Sequence, residues 1–351
     1  MTSSHPMMTT AKPRILYLPN KIHTARVFSP ATFARLLERF DVTQLAGDSC
    51  LDCTSAEVAQ AIPGFDALVT GWGTPALTPE VFERASDLRL IAHSAGSVKA
   101  MLGRCAVEHV MPRGICMFSA NRAIAYNAAE HTLGLMIAMC RKLSEQAQAL
   151  RRNPGIWPDR MVRHNAQFLT GSRVGLVSAS EVGRQVIRLL KPFDVELRVF
   201  DPFLTSDEAL GLGVEKVDLM TVFEQSDIVS VHAPLLPATR GLIGRAHFAA
   251  MRDGAVFINT SRGAILDESA LVCELSSGRF SAALDVTIEE PLPADSPLLT
   301  LENVLVTPHL AGSGHYGYSR IGEGTVNALE DFFAGRSVTG AIDFHRYDII
   351  A

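Results

Sequence analysis

The stretch from Thr170 to Pro202, TGSRVGLVSASEVGRQVIRLLKPFDVELRVFDP, constrains the fold more than any other. Its apolar run from Val174 to Ser178 reads as a buried parallel strand, followed by a tight turn of small residues. A helical pattern runs from about Val182 to Lys191 with Gly183 in its first turn, and a second strand from Glu196 to Phe200 ends in Asp201. A strand–turn–helix–strand unit of this length is the framework of a dinucleotide fold. The helix start offers free N–H groups and a positive dipole end to a pyrophosphate. An acid about 20 residues beyond the turn can accept hydrogen bonds from an adenine-side ribose. The turn departs from Gly-x-Gly-x-x-Gly: Ser178 and Ser180 stand in for the first two glycines, and only Gly183 is kept. Glu181 puts a carboxylate where a pyrophosphate would repel it. On these residues alone, a cofactor site and an ordinary βαβ crossover both stay open.

A length of 351 residues favours two domains, each able to bury its own core. A net charge of −5 and a pI near 6.1 give no electrostatic case for nucleic acid or an anionic membrane. No apolar run approaches the roughly 18 residues of a membrane span. The start, MTSSHPMMTTAK, lacks an apolar signal core, so residues 1–11 are expected to be a frayed tail. Six scattered cysteines fit a reducing cytoplasm. Cys50 and Cys53 form one CxxC with no second pair or histidine cluster, so two free thiols are expected and no metal site.

From Arg14 onward short apolar strands alternate with amphipathic helices. RILYLP, ALVTG (67–71), LRLIAHS (88–94) and GICMFS (114–119) read as strands, and residues 31–40 as a helix with Phe33, Leu36, Leu37 and Phe40 on one face. Two small-residue loops follow strands, Gly71-Trp72-Gly73-Thr74 and Ser94-Ala95-Gly96-Ser97; their exposed amides could hold a carboxylate, or they could be plain turns. A single long helix is expected from about Asn127 to Arg152, apolar round most of its circumference and so buried between domains or subunits, with Glu130 and His131 in buried hydrogen-bonding or packing roles. Asn153-Pro154-Gly155 stops it, and residues 155–169 read as an irregular arm carrying Trp157. In the second half, 227–234, 255–261, 281–286 and 303–309 read as strands, with a helix N-capped by Asp267 and a last helix from about Gly317 to Ala334.

Three polar residues stand just after successive strands: Arg262, Glu290 and His309. Parallel strands put their carboxyl ends on one edge, so the three are expected to converge there. The combination suits carbonyl reduction. A histidine moves the proton near neutral pH, a carboxylate on its other nitrogen fixes the tautomer, and an arginine fork binds a substrate carboxylate.

With these residues in view, the second half resembles the D-isomer-specific 2-hydroxyacid dehydrogenase family along almost its whole length. The matching stretches are the 173–202 unit, VHAPLLPATRGLIG, INTSRGAILDESAL and AALDV…EEPLPADSPLLTLENVLVTPHLAG. SAG at 94–96 and NAAEHTLGLMIA at 127–138 extend the resemblance into the first half. It implies an α/β architecture of two doubly wound parallel sheets, a Rossmann-type cofactor domain (122–314) inserted in a flavodoxin-like substrate domain (12–121 plus 315–351). It implies NAD as cofactor, with NADP disfavoured by Asp201.

The resemblance assigns substrate binding to Arg262, proton transfer to His309, and support of that histidine to Glu290. Ser180, Glu181, Val182 and Gly183 fall at the pyrophosphate, Asp201 at the ribose, and Ala233 and Pro234 beside the adenosine. Thr260, Ser261, Asp285 and Gly312 complete the cofactor set, Asp285 where the family holds the nicotinamide carboxamide. Ala95, Gly96 and Ser97 match the backbone cradle of the substrate carboxylate, and Trp72 lies in a loop that shapes the pocket.

The implied reaction is hydride transfer between C2 of a small 2-hydroxy acid and C4 of the nicotinamide, in a homodimer joined through residues 127–160. Two alternatives stand beside it: a formate- or phosphite-type dehydrogenase of the same fold, and a dinucleotide-sensing relative without turnover. Two departures bear on these. If Ser178 or Ser180 needs a positive φ, serine costs about 1 kcal/mol there. Ser97-Val98-Lys99 follows Gly96 where the family commonly has Val-Asp.

Overall fold

The computed structural model describes residues 11–156 and 166–349, and of residues 315 and 316 the backbone alone. The chain divides into two compact units. One is built from residues up to Ile124 together with Gly314–Tyr347, the other from Ala125–Ser313. The sequence reading places these boundaries at 121/122 and 314/315.

The first unit holds a five-stranded sheet of β1 (Arg14–Tyr17), β2 (Asp41–Gln44), β3 (Ala67–Thr70), β4 (Leu90–His93) and β5 (Cys116–Ser119). All pairings are parallel and the order is β2-β1-β3-β4-β5, the flavodoxin-like winding. Apart from the exposed edge strand β2, its strands are too short and too buried to alternate visibly. β3 and β4 are buried at every position, as strands covered on both faces must be. The helix Pro30–Arg39 starts at a Ser29 cap with proline in its first turn and lays Phe33, Leu36 and the following Phe40 onto this sheet. Leu37 departs from the expected face: it is 42% exposed.

The second unit holds seven parallel strands: β6 (Arg173–Val177), β7 (Glu196–Phe200), β8 (Glu215–Lys216), β9 (Ile228–Val231), β10 (Val256–Asn259), β11 (Ser281–Leu284) and β12 (Val304–Val306). Their order, β12-β11-β10-β9-β6-β7-β8, is the 3-2-1-4-5-6 winding of dinucleotide folds with one strand added. Alternate strand residues feed two cores. Val177, Val229, Val231 and Phe257 pack on one face, and Val174, Leu176, Ile228 and Ile258 on the other. Each such side chain contributes about 1.5–3 kcal/mol by leaving water. The winding reverses between β6 and β9, and at such a switch point open α/β sheets bind their ligands.

The long helix expected from 127 to 152 is two helices, Asn121–Cys140 and Leu143–Arg152. Lys142 breaks them by adopting a left-handed conformation (φ 51°, ψ 39°), a state that no glycine or proline announces. The first helix buries one stripe, Ala125, Ala128, Ala129, Thr132, Leu135, Met136 and Cys140, rather than its whole circumference, and the second buries no residue. Glu130 is exposed, so the expected buried role is not its own. Residues 157–165, with Trp157, and the tail residues 1–10 lie outside the described residues. Among the described residues no helix is long and apolar enough to cross a membrane, no metal-type cluster occurs, and all six cysteines are free.

Candidate functional site

At the carboxyl edge of the seven-stranded sheet, β10, β11 and β12 deliver Arg262, Glu290 and His309. Arg262 follows β10 on an extended backbone and begins the tight 3-10 turn Gly263–Ile265. Asn259 braces it, its amide donating to Arg262 O (3.1 Å) and its oxygen accepting from Ser261 N (3.0 Å). Gly263 lies so close to the loop after β11 that a Cβ there would collide with the Thr287 carbonyl and the Ile288 amide. That loop holds Glu290. Its Oε1 accepts from Thr287 N (3.2 Å), while Oε2 meets His309 Nδ1 at 2.7 Å. A carboxylate can only accept, so Nδ1 carries the proton and Nε2 faces away from Glu290. Both side chains stay accessible, 46% exposed for His309 and 38% for Glu290.

His309 itself sits at φ 51°, a left-handed conformation that costs an L-residue about 1 kcal/mol. Asp285, buried to 1% exposure at the end of β11, holds it there. Asp285 Oδ1 accepts from Thr307 Oγ1 (2.5 Å) and Leu310 N (2.8 Å), Oδ2 accepts from Ala311 N (2.8 Å), and the Asp285 carbonyl takes His309 N (2.9 Å). His131 on the preceding long helix approaches the same group, with Nε2 3.3 Å from Thr307 Oγ1 and 3.6 Å from Asp285 Oδ1. Asp285 is thus first of all the anchor of the histidine loop. Sequence reading gave it only a nicotinamide contact and did not link it to His131. Thr260 pairs with Thr132 (2.8 Å), which fixes that helix to the end of β10, and Gly312 O accepts from Asn127 (3.2 Å).

The expected cofactor turn lies between β6 and β9. Ser178 leaves the strand at φ 84°, so β6 ends one residue earlier than its pattern suggests, and the serine occupies a glycine conformation. Its Oγ donates to Asp201 Oδ2 (3.0 Å), which also accepts from Ala179 N (2.8 Å), while Asp201 Oδ1 accepts from Phe203 N (2.8 Å). Ser180 has an ordinary φ of −60° and caps the helix Glu181–Leu190: Oγ accepts from Gly183 N (3.3 Å) and donates to His232 O (2.7 Å). Serine at 180 therefore carries none of the strain considered for it.

Gly183 is required, because a Cβ would run into the Ser178 carbonyl. Arg184, which sequence reading passed over, braces the turn through Nε to Ala179 O (3.0 Å) and Nη2 to Glu208 (2.9 Å). Of the amides a helix start leaves open, those of Glu181 and Val182 have no acceptor among the described residues. Two free amides, a glycine-tight turn and an acid at the next strand end fit a dinucleotide: Glu181 and Val182 would hold the pyrophosphate and Asp201 the ribose. The Glu181 side chain is exposed. Ala233 and Pro234 follow β9 on the far side of this switch point, and Ser261 Oγ, just after β10, donates to Ala233 O.

In the first unit, Gly71 and Thr74 close a tight turn after β3, which leaves Trp72 40% exposed with its ring edge-on to His23 (5.3 Å) and Tyr318 (5.5 Å). After β4, Ser119 Oγ holds the Ala95–Gly96 backbone by their carbonyls (3.3 and 2.5 Å), and the Gly96 and Ser97 amides have no acceptor among the described residues. Ala95 is buried, Ser97 exposed. Beneath these loops runs a polar chain that sequence reading missed. Ser94 Oγ donates to Thr70 O (2.6 Å) and so accepts from His23 Nε2 (2.9 Å), while His93 Nδ1 meets Thr70 Oγ1 (2.8 Å). Burial lowers the pKa of His23 to about 4 and of His93 to about 3, keeping both neutral.

Comparison with known proteins identifies the family. The family model for the D-isomer specific 2-hydroxyacid dehydrogenase NAD binding domain matches residues 133–311. D-3-phosphoglycerate dehydrogenase of Methanocaldococcus jannaschii is 36% identical over 262 residues, 74% of this chain and 48% of the relative. Hydroxypyruvate reductase of Thermotoga maritima is 33% identical over 270 residues, 76% of this chain and 84% of the relative. The crystal structure of a phosphoglycerate oxidoreductase from Rhizobium etli, 25% identical, covers 94% of this chain and 98% of its own with a TM-score of 0.80. The chain spans about half the length of the curated phosphoglycerate dehydrogenases it matches. The matched residues, the winding of both sheets and the strand-end site together place this chain in the D-isomer-specific 2-hydroxyacid dehydrogenase family, with NAD as its cofactor.

Proposed function

We propose that the protein is an NAD-dependent oxidoreductase that interconverts a small D-2-hydroxy acid and its 2-oxo acid. The observation that carries the reading is the 2.7 Å contact of His309 Nδ1 with Glu290, which fixes the tautomer and leaves Nε2 for substrate. Bound NADH supplies the hydride that reduces C2. His309 Nε2 gives its proton to the forming alkoxide and takes it back in oxidation. Glu290 accepts from Nδ1 throughout and balances the imidazolium. The Arg262 fork orients the substrate carboxylate. Asp201 disfavours the 2′-phosphate of NADPH by charge.

Two further parts belong to the same reading. The helix Leu143–Arg152 buries none of its residues, and Leu143 is 54% exposed, which supports a homodimer formed through residues 127–160. The six free cysteines support a reducing, cytoplasmic setting.

The test is NADH oxidation followed with a panel of 2-oxo acids from glyoxylate to phenylpyruvate. Turnover of at least one acid is expected, with loss of about 10²–10⁴-fold in His309→Ala while NADH affinity is kept. A protein that binds NADH and reduces no acid in the panel is instead a formate- or phosphite-type dehydrogenase, shown by NAD reduction with formate or phosphite, or the non-catalytic sensor if neither is oxidised.

A further inference from the structure

Ser178 has a defined geometry, at φ 84° with its Oγ on Asp201, and it bears on how the cofactor is taken up. A carboxylate offers about four acceptor positions. On Asp201 three are filled from within the protein: Ser178 Oγ and Ala179 N on Oδ2, and Phe203 N on Oδ1. With only 8% of the residue exposed, one position on Oδ1 is left. A ribose presents two adjacent hydroxyls, so a diol that engages this carboxylate through both must remove one of the three donors. The Ala179 and Phe203 donors are backbone amides fixed by the turn and by the strand end. Ser178 Oγ is the only donor that one side-chain rotation can withdraw.

Its backbone adds to the argument. Serine at φ 84° costs about 1 kcal/mol where glycine costs nothing, and a glycine would leave Oδ2 with one donor fewer. The serine thus brings strain to the turn, and what it contributes in return is a hydroxyl on the ribose-binding acid.

We infer that Ser178 is a specificity-determining residue for the adenine-side ribose: its hydroxyl occupies the acceptor position of Asp201 that a second ribose hydroxyl would take. This rests on the reading of the turn as the NAD site. In the parent protein Asp201 engages one ribose hydroxyl beside Ser178, or both at the expense of the serine bond. Either way NADH binds more weakly than to a turn without that hydroxyl.

Calorimetric titration with NADH, and with its analogue lacking the adenine-side 2′-hydroxyl, tests this in the full-length parent, Ser178→Ala and Ser178→Gly. Alanine removes the hydroxyl and keeps the strained Cβ, while glycine removes both. The expected result is NADH binding about tenfold tighter in both variants, the size of one hydrogen bond to a charged group. The deoxy analogue should bind the parent nearly as well as NADH does and the variants clearly less well than NADH. Equal or weaker NADH binding in both variants overturns the inference, and the serine is then a support for Asp201. Tighter binding in glycine alone also overturns it, assigning the effect to backbone strain. No binding of NADH by the parent or either variant removes the cofactor reading itself, and the inference with it.

Discussion

Two loops at the same sheet edge follow one plan and end differently. After β7, Asp201 accepts three hydrogen bonds and fixes a turn whose left-handed residue is Ser178. After β11, Asp285 accepts three and fixes a loop whose left-handed residue is His309. In each, a nearly buried carboxylate offsets the cost of a non-glycine residue at positive φ. The side chains then part. That of His309 points off the anchor and meets Glu290, while that of Ser178 folds back onto its own anchor. An anchored loop presents a reactive group when the donors come from its neighbours. When the donor is the left-handed residue itself, the loop is closed on itself and a ligand must exchange bonds to enter.

The largest effect that would sharpen this contrast comes from exchanging each anchor for its amide. Asp285→Asn sets an NH₂ against donors from Thr307, Leu310 or Ala311 and lets the histidine loop move. Turnover is expected to fall about 10²-fold with NADH affinity near the parent value, because misplacement of a catalytic group by about 1 Å costs that much. Asp201→Asn should do the reverse, weakening NADH and sparing turnover at saturating cofactor. Equal kinetic profiles for the two variants, measured as kcat and NADH Kd, would dissolve the distinction between the loops.

A smaller effect separates them by pH. His232, whose carbonyl takes Ser180 Oγ, is buried with neither ring nitrogen partnered among the described residues, and desolvation lowers its pKa to about 3. The unfolded chain takes up that proton near pH 6.5, the ordinary value for a histidine. The folded pKa is the lower one, so the neutral ring's share of stability is fully present above pH 6.5 and drains as pH falls toward 3, at up to about 1.4 kcal/mol per pH unit. His23 and His93 act with the same sign in the other unit, with folded values of about 4 and about 3. The fall in melting temperature between pH 7 and pH 5 should shrink in His232→Leu. An unchanged fall would mean that the buried ring near the turn carries no acid sensitivity.

The strands behind both loops are readable in the chain because fully buried parallel strands are short apolar runs between small-residue turns. β7 matches its pattern residue for residue, and Asp267 caps its helix through Ala270 N as its type and position suggest. The positions of Arg262, Glu290 and His309 just beyond three strands follow from the same pattern. What the chain conceals is conformational sign and side-chain direction. Nothing in the letters marks Lys142 as left-handed, so one helix was expected where two exist. Nor does a serine in place of glycine reveal that its hydroxyl reaches an aspartate 23 positions away. The His23–Ser94–Thr70 chain joins residues of three separate loops and strand ends, beyond any local period.

The Asp285 anchor has a consequence for the histidine it serves. The bonds that shape the 307–311 loop run through Thr307 Oγ1 and the amides of residues 309, 310 and 311, and none uses the imidazole. The ring is therefore a removable fitting in a socket that the backbone builds by itself. A glycine at 309 would suit φ 51° better than the residue it replaces and leave Glu290 facing an empty imidazole-sized space. Free imidazole added to His309→Gly should dock there and restore part of the turnover. The proton-handling group proposed for this protein is, in that sense, a cartridge rather than a strut.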